Sequence, residues 1–476
     1  MSATDGKAAG AVAVVGGGWA GCAAAVELAR RGRHVTLFEA ARTLGGRARA
    51  IELDGRLLDN GQHILLGAYK DTLTLLKRVG VDPARAFLRL PLQMRYPAGS
   101  GGMDFVAPRL PAPWHMIVAL VRAGGLARED KLALARFSTA ARWMGWRLDQ
   151  DVSVSVLLER FGQTARLNRL MWHPLCLAAL NTAPERASSN VFLAVLRDSL
   201  GAKRAASDML VPRLELSALF PQAAARYLEA KGGTVHLGAK VDTLEHSAGG
   251  WQLQASGQAL GGDWSGRFDA VVLATPAAQS GALLASFPET AGLAAQLGAF
   301  EYEPIATCYL QYDRGLRLPL PVCALLDDPE HERFGQFVFD RGQLDTDQGG
   351  LLAVVISAAG AAAEYRQDSL ARAVAAQLDA AFPALGLGSP QWSRVITEKR
   401  ATFACTPELA RPANATPLPN LVLAGDYTAG DYPATLESAV RSGQAAASAI
   451  LRGRASSRKN GSLSQGDGKH QAGSVQ

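Results

Sequence analysis

Cysteine is scarce in this chain: Cys22, Cys176, Cys308, Cys323 and Cys405 are the only five among 476 residues, and none are spaced as CxxC. That odd, scattered set argues against a disulfide framework or a zinc site and fits a reducing compartment. Long apolar runs are missing as well. No uncharged stretch reaches about 20 residues, so no transmembrane helix is expected. The opening "MSATDGKAAG" lacks the basic start and long apolar stretch of a secretory signal, which places the chain in the cytoplasm. Dense positive patches are absent outside the tail "RGRASSRKNGS"; the net charge of +6 comes from scattered arginines, so nucleic acid is not expected as a partner. No internal repeat is visible.

The composition is 48% hydrophobic and 19% charged, enough to bury a large core. "AVAVVGGGWAGCAAAVELARRGRHVTLFEA", from Ala11, reads as strand, helix, strand, with Gly32 stopping the helix. Gly16, Gly18 and Gly21 form GxGxxG between the first strand and the helix. Gly16 permits the tight turn. Gly18 lets backbone approach a pyrophosphate at the helix N-terminus, where Trp19 and Ala20 begin the first turn. Gly21 lets the helix pack closely on the sheet. Glu39 ends the second strand about twenty residues on, followed by Ala40, where a carboxylate can accept both ribose hydroxyls. An acid there disfavours NADP but does not separate NAD from FAD.

The next motif separates them. "LGGRARA", with Gly45, Gly46 and Arg47, and then "LDNGQHILLG", resemble the flavoprotein family of amine oxidases and phytoene desaturases. The end of the chain, "LVLAGDYTAGDYPATLESAVRSG", is similar to the last strand and flavin-facing helix of that family. The resemblance implies FAD as cofactor. It implies that Gly45, Gly46 and Arg47 close over the pyrophosphate and that Gly425 and Asp426 meet the ribityl chain. Backbone N–H groups near Thr435 and Leu436 would face flavin N1 and O2. Val241 would lie against the adenine, Ala274 and Thr275 would pass under the cofactor, and Gly61, Gln62 and His63 would lie near the flavin ring. "LDNGQHILLGAY" and "ASDMLVPR" further resemble the squalene-associated branch, the hydroxysqualene dehydroxylases of bacterial squalene and hopanoid synthesis. That branch implies a triterpene (isoprenoid) substrate whose allylic hydroxyl is lost while reduced FAD delivers hydride.

Such a reaction needs an acid and a dry apolar cavity. His63, Tyr432 and Asp431 are the candidates for the acid; Asp59 is read as bracing a turn, and His173 as a helix-end residue. Trp114, Met116, Phe137, Trp143, Trp146, Met171 and Trp172 are candidates for lining the cavity, with ordinary core packing as the alternative. Cys405 reads as an inert buried thiol. The segment "PAPWHMIVALVRAGGLAR" could lie on the inner face of a membrane or be an internal amphipathic helix. Only one dinucleotide fingerprint is present, so the electron donor is not named by the sequence. Two related activities compete: an amine oxidase, disfavoured because "EPIATCYLQYD" lacks a lysine, and a carotenoid desaturase, which runs the flavin in the opposite direction. A redox-silent binding protein of the same fold, like the Rab escort proteins, is the third reading.

The fold class expected is α/β, with a Rossmann-type FAD-binding domain interleaved with a mixed α+β substrate domain. The FAD-binding segments are 1–82, 206–288 and 413–452. The substrate segments are a helical insert, 83–205, and 289–412. Residues 453–476 are too polar to pack and are expected as a disordered tail.

Overall fold

Five apolar strands from distant parts of the chain meet in one parallel sheet, in the order Thr234–Leu237, His34–Glu39, Ala11–Val15, Ala270–Leu273, Leu421–Leu423. The structure is a computed structural model that describes residues 10–199 and 203–463. The three central strands are buried almost throughout, as continuous apolar runs in a covered parallel sheet should be. The Trp19–Arg30 helix is buried at every position from Trp19 to Ala29. Its small side chains admit a second helix, Leu436–Leu463, so closely that a Cβ on Gly443 would lie 2.2 Å from Ala20 O. An alanine-rich helix with no polar face fits here because it is covered on both sides.

A second sheet is antiparallel, in the order Val322–Ala324, Phe337–Asp340, Leu351–Ile356, Tyr302–Gln311, Trp392–Phe403. Its strands alternate. Ala306, Cys308 and Leu310 pack in the same apolar cluster as Leu370, Val374 and Leu378 of the Gln367–Ala381 helix. Ile305 and Tyr309 point to the opposite face, and Thr307 shares their side by alternation.

Two expectations need correction. The 83–205 stretch is not helical throughout: after a single helical turn, Pro83–Ala86, the segments Phe87–Leu90, Gln93–Arg95 and Asp104–Val106 are strands. Phe87–Leu90 pairs with Met209–Pro212, a partner that local periodicity cannot reveal. The tail expected from 453 instead continues as helix to Leu463. Each added residue extends a helix that tertiary packing has already nucleated. Residues 464–476 lie outside the described residues. No helix among the described residues is long and apolar enough to cross a membrane.

Candidate functional site

The three fingerprint glycines do three different jobs. Gly16 has φ +106°, and a Cβ there would lie 2.6 Å from Ala274 O. A Cβ on Gly21 would lie 1.9 Å from Gly16 O, so the helix sits directly on the turn. Gly18 differs, since a Cβ there would meet only Gly46 Cα, at 3.9 Å. Its Cα is bare toward an open space, and the helix that starts after it has no side-chain cap. An uncapped helix N-terminus beside open backbone suits a pyrophosphate. Gly45 N donates to Gly17 O at 2.9 Å and lays the Gly45–Gly46 turn along this space.

Glu39 sits at the same edge. Its carboxylate accepts from Gly17 N and Ala41 N, both at 2.7 Å. A carboxylate has about four acceptor positions, so capacity remains for ribose hydroxyls. Ala239 N donates to Glu39 O at 2.8 Å, which brings the Lys240–Ser247 strand, with Val241, alongside Glu39 and Ala40. Trp19 faces inward and donates from Nε1 to Ala48 O at 3.1 Å. Ala20 is covered by the Gly443 contact. The bare Gly18, the uncapped helix and the unsaturated Glu39 carboxylate together fit the adenosine and pyrophosphate parts of FAD.

The far end of the site is tied by arginines. Arg47 Nη2 contacts both oxygens of Asp426 at 2.7 Å, and Nη1 donates to Ala401 O at 2.6 Å. Arg411 donates to the carbonyl oxygens of Asp426 (2.6 Å), Tyr432 (2.7 Å) and Gly430 (2.9 Å), with its plane over the Phe403 ring. A single side chain thus fixes the 426–432 loop. Sequence reasoning missed Arg411, whose only signal is an isolated arginine before Pro412. Gly425 is required because a Cβ would lie 2.3 Å from the Tyr427 ring. Thr275 Oγ1 pairs with Ser280 Oγ at 2.8 Å, and Ser280 meets Tyr427 OH at 3.1 Å, joining the Ala274–Thr275 turn to this loop. One detail departs from expectation. The Thr435 N–H is engaged with Pro433 O at 2.8 Å, and Thr435 Oγ1 accepts from Ser438 N. The helix itself begins at Leu436.

The catalytic candidates separate. The Asp431 side chain is 73% exposed and lies 3.6 Å from Arg197, so it faces solvent rather than a dry interior. Tyr432 is buried, but its hydroxyl donates to Asp198 Oδ2 at 2.7 Å, and burial raises its pKa. That proton is committed. His63 lies in the segment expected near the flavin ring. Its Nδ1 meets Gly61 O at 3.1 Å, while burial and then Arg47 hold its pKa below the usual imidazole value. At neutral pH it is therefore an Nδ1–H imidazole with Nε2 as acceptor, not a resting acid. Of the three, Asp431 lies in solvent, Tyr432 is bonded to Asp198, and His63 is a neutral imidazole bonded to Gly61 O.

Gln62 is clamped: Nε2 donates to Tyr309 OH at 2.8 Å, and Arg341 donates to Oε1 at 3.0 Å. Tyr309 OH in turn donates to Asp59 O at 2.8 Å. Asp59 accepts from Leu216 N, the bracing role expected, and burial pushes its carboxyl up to about 6. Thr307 Oγ1, fully buried and without a hydrogen-bond partner, would lie 3.8 Å from a Cβ on Gly61. Sequence gave no sign of it, since a threonine in an alternating strand is ordinary.

The apolar candidates also split. Phe137, Met171 and Trp172 are buried, with the Phe137 and Trp172 rings 5.0 Å apart. Met116 and Trp146 pack partly against the same cluster, which also contains Phe300 and Tyr427. Trp114 and Trp143 are exposed and line no interior space, which corrects that expectation. His173 opens the His173–Leu180 helix. Cys405 is buried, and burial pushes its thiol up to about 12, so it is unreactive. A surface cleft of about 590 Å³, lined by Arg56, Arg213, Arg314 and Leu344 among others, contains none of the predicted site residues.

The family pattern of flavin containing amine oxidoreductases matches residues 19–451. The chain is 30% identical over 456 residues to a hydroxysqualene dehydroxylase of Rhodopseudomonas palustris, covering 92% of this chain and 98% of that one. It is 25% identical to a zeta-carotene desaturase of Synechocystis sp., covering 92% and 97%. Among solved structures, an oxidoreductase from Methanosarcina mazei superposes with a TM-score of 0.69 at 15% identity, covering 93% of this chain and all of that one.

Proposed function

The chain belongs to the flavin containing amine oxidoreductase family, and from that membership we propose that it removes the allylic hydroxyl of hydroxysqualene to give squalene, within squalene and hopanoid synthesis. It is an FAD-dependent oxidoreductase. The observation that carries the substrate is the 30% identity to a hydroxysqualene dehydroxylase across nearly the full length of both chains.

Bound FAD, once reduced, supplies a hydride for the carbon that loses oxygen. The net change takes one proton and one hydride and releases water. This chain's residues would do the rest. The Gly18 backbone and the N-terminus of the Trp19–Arg30 helix would hold the pyrophosphate, and Glu39 the ribose. Asp426, held by Arg47, would meet the ribityl chain. The first turn of the Leu436–Leu463 helix would turn its N–H groups to the ring, where reduction places negative charge. The cluster from Phe137 and Trp172 to Tyr427 would keep water from a delocalised allylic cation. The Thr307 hydroxyl, buried without a partner, and the neutral His63 would face the departing oxygen and orient the released water. The proton would come with solvent or through His63 rather than from Asp431. The segment boundaries 1–82, 206–288 and 413–452 for the FAD-binding part, and 83–205 and 289–412 for the substrate part, are supported by the source of the five parallel strands.

A desaturase acting on a carotene is the second reading, favoured by the zeta-carotene desaturase relative. The two are separated by incubating purified, chemically reduced protein with hydroxysqualene and analysing the products by mass spectrometry. Squalene is expected. Unchanged hydroxysqualene, with phytoene desaturated or an amine oxidised by the oxidised protein, would reject the reading.

A further inference from the structure

Ten large apolar side chains are exposed among the described residues, and six of them fall between Leu110 and Trp143. On the Trp114–Arg122 helix, Trp114 (58% exposed), Ile117 (46%) and Val121 (68%) are spaced three and four apart and share one face. The opposite face is covered by the protein. His115 and Ala119 are buried, and Met116 and Leu120 pack against the interior cluster that reaches Tyr427. A surface helix in water normally presents a polar outer face. This one turns apolar side chains outward.

The Arg128–Trp143 helix follows it after a short connection. Lys131 Nζ donates to Val121 O, tying the start of this helix to the end of the first. It adds Leu132 and Trp143, the latter 87% exposed.

The arginines here are spaced singly and form no dense run, yet their charge is one-sided, a bias that an evenly scattered reading of the sequence leaves out. Residues 108–147 hold seven Lys or Arg and two Asp or Glu. The whole chain has 49 and 43, so the remainder is nearly balanced at 42 and 41. Of the two acids, Asp130 is buried and accepts from Ala127 N and Thr164 Oγ1. Arg109, Arg122, Arg128, Arg136, Arg142 and Arg147 are exposed and form no ion pair among the described residues.

We propose that this two-helix face docks on an anionic lipid bilayer, with Trp114, Ile117 and Val121 in the headgroup boundary and the arginines on lipid phosphates. Aromatic and aliphatic side chains ringed by six exposed arginines, with Glu129 the one exposed acid of the stretch, match that surface in both polarity and sign. Because the buried side of the same helix belongs to the interior apolar cluster, an apolar substrate would have a short path from lipid to the site. The face stands apart from the choice of substrate. Loss of membrane binding would leave the dehydroxylation reading intact, and an inactive protein that still binds lipid would reject only the reaction.

Full-length, flavin-loaded protein is floated on a density gradient with vesicles of phosphatidylcholine alone or mixed with phosphatidylglycerol. Flotation is expected with the anionic vesicles, falling as salt rises. The pair Ile117→Asp and Val121→Asp is expected to reduce the bound fraction about tenfold. Arg122→Glu with Arg128→Glu, on exposed side chains, is expected to do the same for anionic vesicles only. Both variants should keep the flavin spectrum and thermal midpoint. Three results would overturn the proposal. One is no flotation with either vesicle, and another is equal flotation of wild type and both variants. The third is a wild-type dimer without lipid that the Ile117 and Val121 changes dissociate, which would assign the face to a second copy.

Discussion

Arg47 grips the carboxylate of Asp426 through two 2.7 Å contacts, joining residues 379 positions apart in the chain. Asp426 is buried, and Arg47 is the cation that pairs with it. The pair closes the site between the GG-R turn and the final helix. Arg47→Ala should weaken FAD binding by about tenfold or more, roughly 1.4 kcal/mol. Arg47→Lys should recover only part, because an ammonium cannot reproduce the planar fork. Titration of apoprotein with FAD, followed by flavin fluorescence, measures both.

The glycines predict an asymmetry. Gly21→Ala would force a Cβ against Gly16 O and should cost the fold about 3 kcal/mol. Gly18→Ala meets no such obstacle in the protein and should leave the apoprotein's melting temperature nearly unchanged while weakening FAD. Melting curves with and without FAD check this. An equal loss of stability in both apoproteins would contradict the assignment of open space at Gly18.

Arg411 holds three carbonyls of the 426–432 loop. Arg411→Met keeps the stem over Phe403 but removes every donor. The expected result is faster proteolysis within that loop, FAD bound about tenfold more weakly, and a shifted flavin reduction potential. A variant with unchanged potential and unchanged loop cleavage would show that the loop holds itself.

Much of this arrangement was readable from sequence, for identifiable reasons. The parallel strands are short apolar runs, and the fingerprint glycines and Glu39 lie in one continuous local unit. The Asp54–Gly55 pair was legible but passed over. Both residues have positive φ, 52° and 71°, and close a hairpin between Ala50–Leu53 and Arg56–Asp59. That is the dipeptide a two-residue hairpin turn favours. Other parts were not legible. The partners of Arg411 and Tyr432 come from loops and helices that only tertiary packing brings together. Trp114 and Trp143 share the spacing of core residues, and periodicity does not tell which face of a two-faced apolar helix is covered. The polar tail after Arg452 has no packing signal, yet the helix runs on through it to Leu463.

Asp59 sets a pH dependence. Its folded-state carboxyl lies at about 6 against an ordinary 3.8, so between these values the folded protein binds more protons than the unfolded chain. Stability should therefore fall as pH rises from about 4 to about 6, by up to about 3 kcal/mol, and then level off. Asp59→Asn keeps an acceptor for Leu216 N and should remove that slope. Denaturant midpoints of the two proteins across this window give the comparison; parallel curves would contradict a buried, proton-holding Asp59.

The direction of electron flow is the heart of the account. Flavin in the purified protein is reduced without oxygen, and hydroxysqualene is then mixed in while the oxidised-flavin absorbance is followed. The account predicts that the yellow band returns, with one squalene formed for each flavin reoxidised. A flavin that stays reduced beside hydroxysqualene, in protein whose oxidised form is bleached by a carotene or an amine, would contradict it.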